Sequence, residues 1–285
     1  MRNAENENIE IKLLKEAIFL KYGYDFRNYA EASIKRRILN FLAEANLDSV
    51  SELQHRLLYD QTLFKKLLVN LSVNVTEMFR DPTFYHAVRE KLVPELRQLP
   101  FFKIWHAGCS TGMEVYSMAI LLHEEGLIDR ARIYATDFDE LVLKKAKDGI
   151  FPLELAREYT VNYQRAGGNQ SFSDYYTARY NHAIINSSLR RNIVFADHNL
   201  AVDGVFGEMN VIFCRNVLIY FNKELQNRVF RLFLESLTER GFLCLGSKES
   251  IRYSAYSDAF ADVAPKEKIY RKTGHPDPEA HQETF

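Results

Sequence analysis

The chain has 285 residues, with 47% hydrophobic and 26% charged residues, which is ordinary globular usage and enough for about two average domains. That balance excludes a disordered chain, a collagen-like fibre and a disulfide-stapled miniprotein. The 37 Lys and Arg nearly cancel the 38 Asp and Glu for a net charge of −1, so no global basic excess points to nucleic acid.

The first ninety or so residues read as helices. Ile11, Leu14, Ala17 and Ile18 share one face at helical spacing. Ser49 and Glu52 form an S-x-x-E capping box ahead of Leu53, Leu57 and Leu58, and Leu63, Phe64, Leu67 and Leu68 continue the amphipathic pattern. Asp81 followed by Pro82 reads as an N-cap with proline at the first helical position, opening a helix through about Arg97. After Phe101 the pattern alternates. Strands are predicted at Phe101–Ala107, Arg132–Ala135, Asn192–Ala196, Asn210–Cys214 and Gly241–Gly246, with helices at Glu114–Glu125, Glu140–Asp148 and Lys223–Thr238. Such alternation implies a mainly parallel sheet covered on both faces. Residues 155–191 break the rhythm: they are Tyr-rich, contain Gly167-Gly168 and lack a long helical stripe, and so read as a small inserted subdomain. The resulting division is a helical domain with linker helix over 1–90 and an α/β domain over 91–285 that carries the insert. The tail after Lys272 is polar and reads as loose.

Three cysteines, Cys109, Cys214 and Cys244, show no metal-binding spacing and suit a reducing cytoplasm. The polar start MRNAENENIE is not a signal peptide, and no apolar run approaches the roughly 20 residues of a membrane span. A cytoplasmic protein without membrane insertion is expected. The eight histidines are scattered, so no metal is expected.

Chemistry concentrates in a few segments. In IWHAGCSTGMEVYSMAILL (Ile104–Leu122) a strand runs through Gly108-Cys-Ser-Thr-Gly112 into a helix. Glycines there let backbone approach a ligand, and the helix N-terminus favours a negative group. The turn is G-x-x-x-G, so it meets neither the dinucleotide fingerprint nor the P-loop, and a tight turn without a ligand is the plain alternative. Asp137, in YATDFD, can accept hydrogen bonds from a ribose diol at the end of the next strand, or can cap the following helix. Together the two features favour a nucleoside cofactor. LSVNVTEMFRDPTFY carries Asn74, Thr76 and Arg80. VIFCRNVLIYFN ends a buried strand in Arg215 and Asn216, which need partners once desolvated, and continues to Tyr220.

These segments resemble the signatures of the chemotaxis receptor methyltransferases (the CheR family), and the resemblance runs from the N-terminal helices to IYRK at Ile269–Lys272. TEMFRD, WHAGCSTGMEVYS, the ATD strand end, the Asn-Leu after the inserted region and IFCRNVLIYF all recur in order. Met78 stands for an aromatic, His106 for a small polar residue and Met113 for the first of two acids, of which Glu114, the second, is kept. The resemblance implies a Rossmann-like S-adenosylmethionine methyltransferase domain behind an all-helical one, with a small inserted β-subdomain. It implies a protein-glutamate O-methyltransferase of chemoreceptor signalling domains that releases S-adenosylhomocysteine. A cofactor-binding regulatory scaffold without catalysis is the alternative. Asn74, Thr76, Arg80, Glu114, Asp137, Asn199, Leu200, Arg215 and Asn216 would line the cofactor pocket, with the turn at Gly108 beside Thr76 and Arg80 near the methionine moiety. Arg80 and Tyr220 are the candidates for orienting the substrate carboxylate, although Tyr220 also reads as a core tyrosine.

The basic run Lys35, Arg36 and Arg37, with Lys65 and Lys66, reads either as solvated surface or, by the resemblance, as a docking face for acidic receptor helices. The insert lacks the glycine-rich extension of members that hold a receptor pentapeptide, so pentapeptide independence is expected. The terminal His281–Phe285, HQETF, is itself similar to such a receptor tail, with chance the simpler reading.

Overall fold

The structure is a computed structural model that describes residues 4–71 and 76–274. Asn74 and the HQETF tail lie outside the described residues. The chain forms two compact units, one of residues up to 74 with Ile219–Arg228, the other from 75 to 218 with the residues after 228.

The first unit contains α1 (Ala4–Tyr22), α2 (Glu31–Glu44), α3 (Val50–Tyr59) and α4 (Gln61–Leu71). Its core is the apolar periodicity read from sequence: Ile11, Leu14, Ile18, Leu53, Leu57, Phe64 and Leu67 are all buried. The capping box forms with a shift of one residue. Ser49 Oγ accepts the Glu52 N–H at 3.1 Å, while the Glu52 carboxylate reaches back to the N–H of Asp48, not of Ser49. Tyr22 stacks flat on Phe64 with ring centroids 3.8 Å apart. The returning segment is tied on by backbone: the Ala30 N–H donates to Tyr220 O and the Asn222 N–H to Asn28 O.

The second unit opens with α5 (Pro82–Ala87), a π-helical turn at Val88–Leu92 and α6 (Val93–Leu96), one run where a single regular helix is predicted. Pro94 explains the wider turn, because proline offers no N–H and its ring crowds the carbonyl four residues back. Then follow β1 (Phe102–Ala107), α7 (Met113–Glu124), β2 (Ala131–Asp137), α8 (Glu140–Asp148), β3 (Ile150–Pro152) and α9 (Ala156–Arg165). After these come β4 (Tyr176–Arg179), β5 (His182–Ile185), α10 (Ser187–Arg190), β6 (Ile193–Asp197) and β7 (Met209–Cys214). The chain ends in α11 (Lys223–Ser236), which spans the boundary at 228, then β8 (Leu237–Leu245), β9 (Phe260–Ala264) and β10 (Ile269–Lys272).

Seven strands make one sheet in the order β6-β2-β1-β7-β8-β10-β9. The first five run parallel, and β10 and β9 close the edge antiparallel. The central strands β1 and β7 are buried almost throughout, as a sheet covered on both faces requires. Strand order reverses between β1 and β7, and a ligand crevice forms at the carboxyl ends of strands on either side of such a switch point. The Tyr-rich region differs from its sequence reading in two ways. It holds a ten-residue helix, α9, whose Tyr159 and Tyr163 are buried, and its three-stranded sheet β3-β5-β4 already begins at Ile150. The apolar stripe of α9 is carried by tyrosines, which hides it from an aliphatic count.

Candidate active site

Three strand ends meet at the switch point. β1 leaves the sheet at Gly108 (φ +77°), and the turn passes Ser110 (φ +51°) and Gly112 (φ +83°) before α7. Gly108 is required for packing as well as conformation, because a Cβ there would lie 2.6 Å from Val217 Cγ2. The turn is anchored to β2. Gly108 and Cys109 both donate N–H to Thr136 O at 2.8 Å, and Ser110 N–H donates to Asp137 Oδ2 at 2.9 Å.

The structure separates the two roles open to Asp137. Asp139 caps α8, its side chain accepting the N–H groups of Leu141 and Val142. Asp137 instead sits in the crevice, 7% exposed, with one oxygen on Ser110 and the other accepting the Asp139 N–H at 3.2 Å. The Phe138 N–H also donates to this carboxylate, and since a carboxylate has about four acceptor sites, one remains for a hydroxyl donor. Burial pushes Asp137 up to about 6, even though the backbone N–H groups of Ser110 and Asp139 pull the other way.

At the end of β7, Arg215 is buried and clamped. Its Nη1 donates to Glu114 Oε2 at 3.0 Å, its Nη2 to Asp81 Oδ2 at 2.8 Å, and its Cζ lies 3.8 Å from the centroid of the Phe84 ring. Asp81 therefore does not cap α5 with its side chain, as the sequence predicts. It takes a left-handed conformation (φ +56°), only its carbonyl accepts the Phe84 N–H, and its carboxylate is spent on Arg215. Glu114 is also reached by His106 Nδ1 at 3.1 Å. Burial acts to raise Glu114, but the hydrogen bond from His106 and the charge of Arg215 more than offset it and hold the carboxyl below its ordinary value.

Asn216 follows in the left-handed region (φ +62°). Its loop hangs on Glu249, a buried residue that sequence reasoning missed. The Glu249 carboxylate accepts backbone N–H groups from Asn216, Val217, Leu218 and Gly246 at 2.6–2.9 Å. Burial raises its pKa, and those four donors oppose the shift. The available sequence signal was a carboxylate just beyond Gly246 at the end of a buried strand.

The other candidates are placed as follows. Thr76 and Arg80 are half-buried, with Arg80 close enough to Glu77 to act on its charge. Asn199 turns its side-chain oxygen to the Ala201 N–H at 3.0 Å, and Leu200 beside it is buried. Tyr220 belongs to the first unit, where the Arg37 guanidinium lies 5.2 Å from its ring centroid. Of the basic run, Lys35 pairs with Glu7 at 2.8 Å, and Arg37 is half-buried and donates to the carbonyls of Asn70 and Leu71. Arg36, Lys65 and Lys66 are exposed. Met113 is buried at the start of α7. Among the described residues no cluster of three or more His, Cys, Asp and Glu could hold a metal ion, and no helix is long and apolar enough to cross a membrane.

Two family models match this architecture: the CheR methyltransferase SAM-binding domain over residues 74–266 and the CheR all-alpha domain over residues 9–72. The chain belongs to the CheR methyltransferase family. It is 56% identical over 273 residues to a Pseudomonas putida protein that carries the name methyltransferase Cher3, covering 96% of this chain and all of that one. A chemotaxis protein methyltransferase of Listeria monocytogenes is 29% identical, with 80% of this chain and 85% of that one aligned. One from Vibrio anguillarum is 30% identical over 76% and 80%. Among solved structures, the N-methyltransferase NodS from Bradyrhizobium japonicum, in complex with S-adenosylhomocysteine, aligns over 70% of this chain and 90% of that one, with a TM-score of 0.40 and 12% identity.

This member of the CheR family is thus an S-adenosylmethionine-dependent methyltransferase. The residues present fit that cofactor. A buried carboxylate with an acceptor site to spare suits a ribose hydroxyl, a glycine turn brings backbone to the crevice, and two carboxylates around one guanidinium suit a zwitterionic amino-acid group.

Proposed function

We propose that this protein methyl-esterifies glutamate side chains on the cytoplasmic signalling domain of a chemoreceptor. The reading is carried by the match of both units to one family whose aligned relatives are named chemotaxis protein methyltransferases. The cofactor supplies a methyl group on a positively charged sulfur. A glutamate carboxylate is already ionised at neutral pH, so the new C–O bond forms as the C–S bond breaks, without a general base, and the products are the ester and S-adenosylhomocysteine. The protein's part is placement, since holding the reacting atoms in line supplies much of the acceleration in such transfers.

In this reading Asp137 accepts the ribose hydroxyls, Asn199 and Leu200 lie along the adenine, and Glu114 with Arg215 receives the amino-acid end. Thr76, Gly108 and Asn216 complete the pocket. Arg80 orients the substrate carboxylate, and must do so without full neutralisation, which would blunt the nucleophile. Exposed Arg36, Lys65 and Lys66 meet the acidic receptor helices.

Transfer of a labelled methyl group to purified receptor fragments tests the reading, with mild base used to release it. Label that leaves as methanol, and is not incorporated once the candidate glutamates are changed to alanine, is the expected result. Cofactor binding with no transfer to any receptor fragment of the source organism would instead favour a regulatory scaffold.

A further inference from the structure

His106 is built into the middle of the charge cluster. It lies on β1 in register with Ala135 of β2 and Phe213 of β7. Its ring stacks on Phe213 with centroids 4.6 Å apart and planes 11° from parallel, and it is 1% exposed. Stack and strand together fix the plane of the ring, and the contact with Glu114 selects the flip that turns Nδ1 toward it. Glu114 is ion-paired with the Arg215 guanidinium at 3.0 Å, and a carboxylate can only accept. The proton of the 3.1 Å contact therefore belongs to His106 Nδ1. The opposite nitrogen, Nε2, has no protein partner, which leaves the bond to Glu114 as the polar function of this side chain.

We infer that His106 is a positioning residue for the cofactor site: its Nδ1–H fixes Glu114 by one oxygen while Arg215 holds the other. A carboxylate gripped by a single donor can turn about that bond. Gripped from two elements, β1 and the end of β7, it presents one fixed face to the crevice. Arg215 is itself fixed by Asp81 and Phe84, so His106 completes a chain of restraint that runs from α5 to α7. The inference rests on the reading of Glu114 as a cofactor residue.

The test compares two replacements by their affinity for S-adenosylhomocysteine and by the melting temperature of the cofactor-free protein. His106→Phe keeps the volume and the stack but removes the donor. His106→Asn places an amide nitrogen where Nδ1 stood but loses the stack. Positioning predicts that the Phe variant melts near wild type yet binds about tenfold more weakly, as expected for a lost hydrogen bond to a charged group. It also predicts that the Asn variant recovers most of the affinity despite a lower melting temperature. A packing role predicts the reverse order, and wild-type affinity in the Phe variant overturns the inference. Should the Phe variant fail to fold, His106→Ala must still bind more weakly than His106→Asn, and equal affinities overturn the inference. Glu114→Gln separates the two levels. If it leaves affinity unchanged, the reading of Glu114 fails and takes the inference with it; if it weakens binding and His106→Phe does not, only the inference falls.

Discussion

Asp137 is where burial and function pull hardest against each other. Its carboxyl is pushed up to about 6 because the crevice desolvates it, and the three backbone donors on its oxygens, from Ser110, Asp139 and Phe138, recover only part of the cost. If Asp137 accepts the ribose hydroxyls as proposed, they donate to the ionised form and binding lowers the pKa. By linkage the cofactor should then bind best above pH 6 and lose affinity as pH falls through that value. With a free pKa near 6, about nine-tenths of the protein carries the carboxylate at pH 7 and about one-tenth at pH 5, so the dissociation constant for S-adenosylhomocysteine should rise about tenfold between them. Calorimetric titration at pH 7, 6 and 5 reads this directly, and the ligand's own amino and carboxyl groups do not titrate in that window. Asp137→Asn should bind weakly with that fall removed. A flat wild-type profile would mean that the carboxylate is not the diol acceptor.

At the scale of elements, the loop after β7 is shaped from outside itself. Glu249 gathers four N–H groups from two chain segments, and Gly246 makes room for that grip, since a Cβ there would lie 2.7 Å from Glu249 Oε2 and 2.8 Å from Asn216 N. Gly246→Ala should destabilise by about 1–3 kcal/mol through overpacking. Glu249→Gln turns an amide donor toward other donors and should cost about as much per N–H left unpaired. Thermal unfolding measures both, with a drop of about 2–4 °C for each kcal/mol in a unit of this size. The sequence could not show this device, because Glu249 lies more than thirty residues beyond the loop it holds and no period links them. Asp81 hid for a related reason. Asp-Pro is a local capping signal, and only the return of β7 brings Arg215 to claim the carboxylate. What was legible was what periodicity carries: α1, α3 and α4 of the first unit, the parallel strands and the glycine turn, while the stripe Ile34, Ile38, Phe41 and Leu42 of α2 was legible only as part of a generally helical region. The β9–β10 edge and tyrosine-striped α9 were not, being short or built from residues that an aliphatic pattern overlooks.

At the scale of the molecule, the two units carry different chemistry. The second holds the crevice of Asp137, Glu114 and Arg215, and the first holds the basic run Lys35, Arg36 and Arg37 with Lys65 and Lys66. A run of three basic residues in sequence reads as one patch, but folding divides it. Arg37 is half-buried with its charge turned to the carbonyls that end α4, and burial lowers its pKa; Lys35 is paired with Glu7; Arg36 is exposed. Arg37→Ala should therefore lower the melting temperature, since it strips buried carbonyls of a donor, and be a poor probe of docking. Arg36→Glu with Lys65→Glu and Lys66→Glu alters only exposed charge and should leave stability and S-adenosylhomocysteine affinity unchanged. If these cations steer acidic receptor helices, the triple reversal raises KM for a receptor fragment severalfold at low salt. The difference from wild type should then shrink as ionic strength approaches 0.5 M, where screening extends only about 4 Å. A KM that matches wild type at every salt concentration would move docking off this surface. Equal loss at all salt concentrations would mean that the reversal acts through the fold and not through long-range attraction.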